Sequence, residues 1–180
     1  MESKKLKILI WPIQGLGHIY PCIGIGQRLK ERGHRVIVVI ENAWKNRLAK
    51  QYGLEEVCTN DDGTDGNDAG LNRFVQMMTT SGLMENQTPE EKLSSYLKLI
   101  SSGMAEKIQE FNERFKQTLD KIAPDLIIHD NFIATPALQT YGCPWISLIP
   151  SGALMALDDE RTPPPFSGKI IFNSLNKQHE

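Results

Sequence analysis

Residues 6–40 read LKILIWPIQGLGHIYPCIGIGQRLKERGHRVIVVI. Leu6 to Trp11 is an almost wholly apolar run closed by Pro12, and a short apolar run bounded by turn residues is how a strand buried on both faces of a parallel sheet reads. A glycine-rich turn follows, Gln14-Gly15-Leu16-Gly17-His18. After it Ile19, Ile23, Gly26 and Leu29 fall at helical spacing until Gly33 supplies a stop. Val36 to Ile40 is again apolar and β-branched, hence buried. The stretch is a βαβ unit, and a right-handed crossover places its two strands parallel in one sheet.

The pattern continues outward. Asn42 is positioned to cap a helix running through Trp44, Leu48 and Tyr52 to Gly53, and Glu55 to Thr59 adds a third short strand. Asn60 to Gly70, rich in Asp and Gly, is a loop. It fits a calcium loop poorly: with Asp61 at the first position, Gly63 falls at the third and Asn72 where a bidentate Glu is needed. From Leu93 through Leu97, Ile100, Met104, Ile108, Phe111, Phe115 and Leu119 to Ile122 the apolar spacing averages about 3.6 residues, which predicts a long straight helix bent at Gly103. Thr88-Pro89-Glu90-Glu91 starts it with a capping hydroxyl, a first-turn proline and two acids. Pro124 ends it. Asp125 to Asp130 is another buried strand, Ala134 to Tyr141 a short helix and Trp145 to Ile149 a last strand. The alternation predicts an α/β, doubly wound, mostly parallel Rossmann-like sheet with helices on both faces, over residues 1–155. Residues 156–180, with Thr162-Pro163-Pro164-Pro165, read as an extended tail.

Composition bounds the partners. With 180 residues, 40% of them apolar and 23% charged, the chain is long enough for one substantial core. A formal charge of −2 from interspersed acids and bases leaves no basic stripe to track nucleic acid. Cys22, Cys58 and Cys143 are odd in number and widely spaced, so neither a disulfide framework nor a zinc site is indicated. No apolar run reaches the roughly 18 residues of a membrane span, and the first residues run straight into a strand, which suggests a cytoplasmic protein. Asn86-Gln87-Thr88 matches a glycosylation sequon, but it is followed by Pro89 and no export signal precedes it.

In open α/β sheets ligands gather beyond the carboxyl ends of the strands. Three polar sites fall there: Gln14 to His18, Asp130 with Asn131, and Ser151. Gly15-x-Gly17 after a strand, with Glu41 ending the next, invites a dinucleotide reading. Tyr20 stands where the third glycine belongs and Pro21 follows, which argues against a nicotinamide or flavin cofactor. His18 is a candidate general base near a helix N-terminus, and Asp130 is its natural carboxylate partner, ending a strand that can neighbour the first. Each has a plainer reading, His18 as a packing or capping residue and Asp130 as a turn residue. His129 points to the other side of its strand and is structural, and His34 lies at the far end of the sheet.

The combination of Ile8-Leu9-Ile10-Trp11-Pro12, Gly17-His18-Ile19-Tyr20-Pro21, Arg32-Gly33-His34-Arg35-Val36, Pro124 to Asp130 and Gly142-Cys143-Pro144-Trp145-Ile146 resembles the UDP-glycosyltransferases of the two-Rossmann-domain (GT-B) type over roughly residues 5–170. The matching part is the family's amino-terminal, acceptor-binding domain. The resemblance implies that His18 is the catalytic base and Asp130 its partner. It also implies that Gln14, Gly17, Phe132 and Ser151 line the substrate site, and that the acceptor is a small lipophilic molecule. No cofactor is implied beyond a UDP-sugar as co-substrate, with glucose the hexose expected, and no metal. The family's donor signature is not in this sequence, so the UDP-sugar is expected to need a donor-binding domain elsewhere. A non-catalytic module holding a lipophile in the same cleft is the competing expectation.

Overall fold

The computed structural model describes residues 4–59, 75–76, 78–101, 104–131 and 135–150. By internal packing they fall into two units, one within residues 1–73 and 103–150 and the other within residues 74–102. The first unit holds a five-stranded sheet of β1 (Lys7–Trp11), β2 (Arg35–Ile40), β3 (Glu55–Cys58), β4 (Leu126–His129) and β5 (Trp145–Ser147). The order is β3-β2-β1-β4-β5, and every pairing is parallel. The Rossmann-like sheet expected from the sequence is therefore the one observed.

The helices of this unit are α1 (Leu16–Glu31), α2 (Arg47–Tyr52), α4 (Met104–Ile122) and α5 (Pro136–Thr140). Strand alternation splits the core into two layers. Ile8, Ile10, Val36, Val38, Ile40 and Ile128 face α1 and α2 with Ile19, Cys22, Ile23 and Leu48. Leu9, Trp11, Ile37, Val39 and Ile127 face the other way, against Phe115, Leu119 and Ile122 of α4 and Ala137 and Leu138 of α5. Helices on both faces mean that neither side of the apolar strands is left in water. The close approach of α1 to the sheet falls at Gly26, where an added Cβ would sit 3.1 Å from Leu54 Cδ1 and 3.4 Å from Ile10 Cδ1. Tyr20, by contrast, is 49% exposed and does not stand between helix and sheet. Tyr20 therefore does not crowd the helix against the sheet, which α1 meets through Ile19, Cys22, Ile23 and Gly26.

Two other expectations change. The helix foreseen from Asn42 to Tyr52 is broken: residues Asn42–Trp44 form a 3₁₀ turn, and Asn46 takes a left-handed φ of 63° before α2 begins. Asparagine tolerates that region better than most residues, and the Glu56 carboxylate accepts the Asn46 and Ala49 N–H groups in place of a continuous helix. Asn42 does not cap; its Oδ1 accepts the Cys58 thiol at 2.9 Å. The apolar repeat from Leu93 to Ile122 is carried by two helices, α3 (Pro89–Ser101) and α4, which belong to different units. In the second unit the Thr88 cap holds as read: Thr88 Oγ1 accepts the Glu91 N–H and the Glu91 carboxylate accepts the Thr88 N–H, a capping box. The 60–70 loop, Phe132, Ser151 and the 156–180 tail lie outside the described residues.

Candidate active site

The order β2-β1-β4 makes β1 and β4 the topological switch point. The chain leaves β1 for α1 on one face and reaches β4 from α4 on the other, which opens a crevice at the strands' carboxyl ends. Asp130 sits there by main-chain bonding: β4 pairs with β1 through Trp11↔His129, and the Asp130 N–H continues that ladder to Trp11 O at 3.0 Å. His18 is delivered from the other strand. Gly15, extended at φ −129° and ψ 150°, turns the chain into α1, and its carbonyl accepts the His18 and Ile19 N–H groups at 3.0 and 2.9 Å.

The two side chains, 112 residues apart in sequence, meet. His18 Nδ1 lies 3.0 Å from Asp130 Oδ1 and 2.9 Å from Oδ2. Asp130 is 3% exposed and His18 21%, so the carboxylate forms the floor and the imidazole faces the opening. Burial raises the Asp130 carboxyl above its ordinary range, while the charge and hydrogen bond of His18 and the Ile13 backbone pull it back down. A carboxylate accepts only, so when Asp130 is ionised Nδ1 must carry a proton and Nε2 is the basic nitrogen of a neutral ring. Behind the pair, burial and the negative charge of Asp130 push the Cys22 thiol up to about 12, which makes it an inert wall.

The remaining foreseen residues fall as follows. Gly17 lies on the first turn of α1, with no atom of the described residues outside the helix backbone within 4 Å of where its Cβ would be. Pro21 has no N–H to give the Gly17 carbonyl, so the helix ladder is interrupted there. Gln14 is partly buried, and its amide is bonded to main chain at the tip of β2. Phe132 and Ser151 are outside the described residues. The Ile13 backbone contact to Asp130 and the wall formed by Cys22 were missed from sequence, and only the helical spacing of Cys22 four residues after His18 hinted at the latter. A hollow of about 490 Å³ along the outer side of α1, lined by Pro21, Gly24, Ile25, Arg28, Leu29 and Arg32, includes neither His18 nor Asp130. Among the described residues no group of three metal-ligating side chains converges, and no helix is long and apolar enough to cross a membrane.

His129 shows the other side of the same strand end. It is 1% exposed, with ring centroids 5.6 Å from Phe115 and 6.2 Å from Phe111, and burial lowers its pKa to about 4. Its Nε2 has no hydrogen-bond partner among the described residues. That is a packed, neutral imidazole.

No family model and no curated protein matches this sequence. Solved structures do. The glycosyltransferase of kitacinnamycin superimposes with a TM-score of 0.51 at 18% identity, over 83% of this chain and 31% of its own. SsfS6, a glycosyltransferase of Streptomyces sp. SF2575, gives a TM-score of 0.51 at 18% identity, over 79% of this chain and 38% of its own. The chain has the fold of part of a glycosyltransferase. SsfS6 has also been solved complexed with thymidine diphosphate, with the same overlap. The present chain spans about a third of the length of these enzymes.

Proposed function

We propose that this chain supplies the acceptor-activating half of a glycosyltransferase, with His18 as general base and Asp130 as its partner. The observation that carries the reading is the 2.9 Å contact of His18 Nδ1 with a buried carboxylate at the switch point of the sheet. The likeness in fold to glycosyltransferases and the sequence motifs around His18 support it. In the reaction, His18 Nε2 takes the proton of an acceptor hydroxyl as its oxygen attacks the anomeric carbon of a nucleoside-diphosphate sugar. The bond from that carbon to the diphosphate oxygen breaks, the diphosphate departs with the electron pair, and a single displacement inverts the centre. Asp130 orients the ring and stabilises the imidazolium that forms.

The donor in this reading is a UDP-hexose and the acceptor a small lipophilic alcohol or phenol, both taken from the family resemblance. The donor is held by a second domain, consistent with a chain that spans only a third of the enzymes it superimposes on. Turnover of UDP-glucose against a panel of phenolic acceptors, with a donor-binding domain supplied, tests this. His18→Ala is expected to lower kcat by about a thousandfold, the scale of general-base catalysis. Equal rates for His18→Ala and the parent would overturn the assignment. Acceptor binding without any turnover would favour a binding module.

A further inference from the structure

The β1–β2 ladder stops early on the β1 side. Its register runs Lys7↔Arg35 to Ile10↔Val38, so the positions that come next in line would pair Trp11 with Val39 and Pro12 with Ile40. Pro12 has no N–H to give, and the chain turns away there. Across from it, two main-chain groups of β2 still face β1. In a parallel pair, a residue opposite Ile40 would donate to the carbonyl before Ile40 and accept from the N–H after it. The Gln14 side chain makes both bonds: Nε2 donates to Val39 O at 3.3 Å, and Oε1 accepts the Glu41 N–H at 3.0 Å. The second Nε2 hydrogen goes to Pro12 O at 2.9 Å.

We infer that the Gln14 side-chain amide acts as a surrogate strand residue, completing the β1–β2 ladder where Pro12 cannot, and that it thereby positions the His18–Asp130 pair. Both amide hydrogens and one carbonyl lone pair are committed to main chain, so Gln14 has little left with which to read a substrate. Its two chain neighbours adjoin the pair: the Ile13 backbone lies where it favours the charge of the Asp130 carboxylate, and the Gly15 carbonyl accepts the N–H of His18. Pinning residue 14 to the tip of β2 therefore fixes both in place. An alanine keeps the turn but drops three hydrogen bonds, and a glutamate keeps the length but has no donor for the two carbonyls when ionised. The ladder claim stands on geometry alone; the positioning of a catalytic pair rests on the function proposed above.

The test uses the 180-residue chain with Gln14→Ala and, as a second variant, Gln14→Glu. Amide hydrogen exchange is followed at Glu41 and, as internal references, at Leu9 and Val38, together with the ¹⁵N shift of His18 Nδ1. Gln14→Ala is expected to speed exchange at Glu41 by about tenfold, the scale of one net hydrogen bond, while Leu9 and Val38 keep their rates; Gln14→Glu, which keeps an acceptor for the Glu41 N–H but repels the Val39 and Pro12 carbonyls, is expected to speed it less. The Nδ1 shift is expected to move as well. An unchanged Glu41 rate, or a rise matched at Leu9 and Val38, would overturn the surrogate ladder. Faster exchange at Glu41 with an unmoved Nδ1 shift would overturn the positioning role. None of these readouts needs glycosyl transfer, so a failure of the proposed function would show separately, as absent turnover with these outcomes intact.

Discussion

His129 and Asp130 are consecutive, yet they face opposite layers of one sheet and their environments have opposite chemistry. His129 goes into the aromatic layer, against Phe111 and Phe115, where nothing rewards a charge. Asp130 goes to the α1 side, where the His18 imidazole and the Ile13 backbone both favour its charge although it is nearly as deeply buried. The same strand end thus holds one imidazole that is structurally inert, while its neighbour engages another that is in contact with both a carboxylate and the opening. What separates them is the period-2 alternation of the strand, together with which helix carries a partner.

The largest effect expected of this contrast is in turnover. Where His18→Ala costs about a thousandfold, Asp130→Asn should cost about a hundredfold, because the amide can still touch the ring but no longer stabilises the imidazolium. His129→Phe should leave kcat within a factor of about three, since it removes a group with no partner in the reaction. A rate loss at His129 comparable to that at His18 would break the comparison.

The next effect is on stability. The His129 pKa falls from 6.5 to about 4 on folding, so the unfolded chain binds a proton in that window and the folded one does not. Stability is therefore full above pH 6.5 and lost as pH falls, by about 3 kcal/mol on reaching pH 4. Urea unfolding across this range should show that loss in the parent and not in His129→Phe.

Asp130 should give a smaller slope of the opposite sign. Its carboxyl is raised on folding, so the folded chain holds the proton more tightly than the unfolded one. Its contribution to stability is present at low pH and declines as pH rises from the ordinary carboxyl value, 3.8, through the raised one. The measurement is made in the His129→Phe background, where the larger slope is gone: adding Asp130→Asn should remove the remaining decline. A slope that persists in the double variant would assign it elsewhere.

Much of this was legible in the sequence, for identifiable reasons. Ile8 to Trp11, Val36 to Ile40 and Leu126 to Ile128 are apolar without interruption, and that pattern reads as a strand covered on both faces. His18 and Asp130 could each be placed at a carboxyl end. Their pairing was expected from the chemistry and from the resemblance, but local spacing alone does not fix it, because it depends on β4 docking beside β1, a fact of strand order. The main-chain bonding of Gln14 was not legible for a related reason: its partners are main-chain atoms at Val39 and Glu41, which no side-chain pattern reveals. The left-handed Asn46 broke a helix whose apolar spacing had looked continuous. The exposure of Tyr20 was not legible either, because a place in a motif does not fix which face of α1 a side chain takes.

The most direct test of the His18–Asp130 pair is the tautomer of neutral His18, read from its two ring ¹⁵N shifts by long-range ¹H–¹⁵N correlation in the parent and in Asp130→Ala. The account predicts a proton held at Nδ1 in the parent, leaving Nε2 as the base, and a shift toward the Nε2–H form once the carboxylate is removed. A parent ring already protonated at Nε2, or a tautomer ratio that Asp130→Ala leaves unchanged, would contradict it.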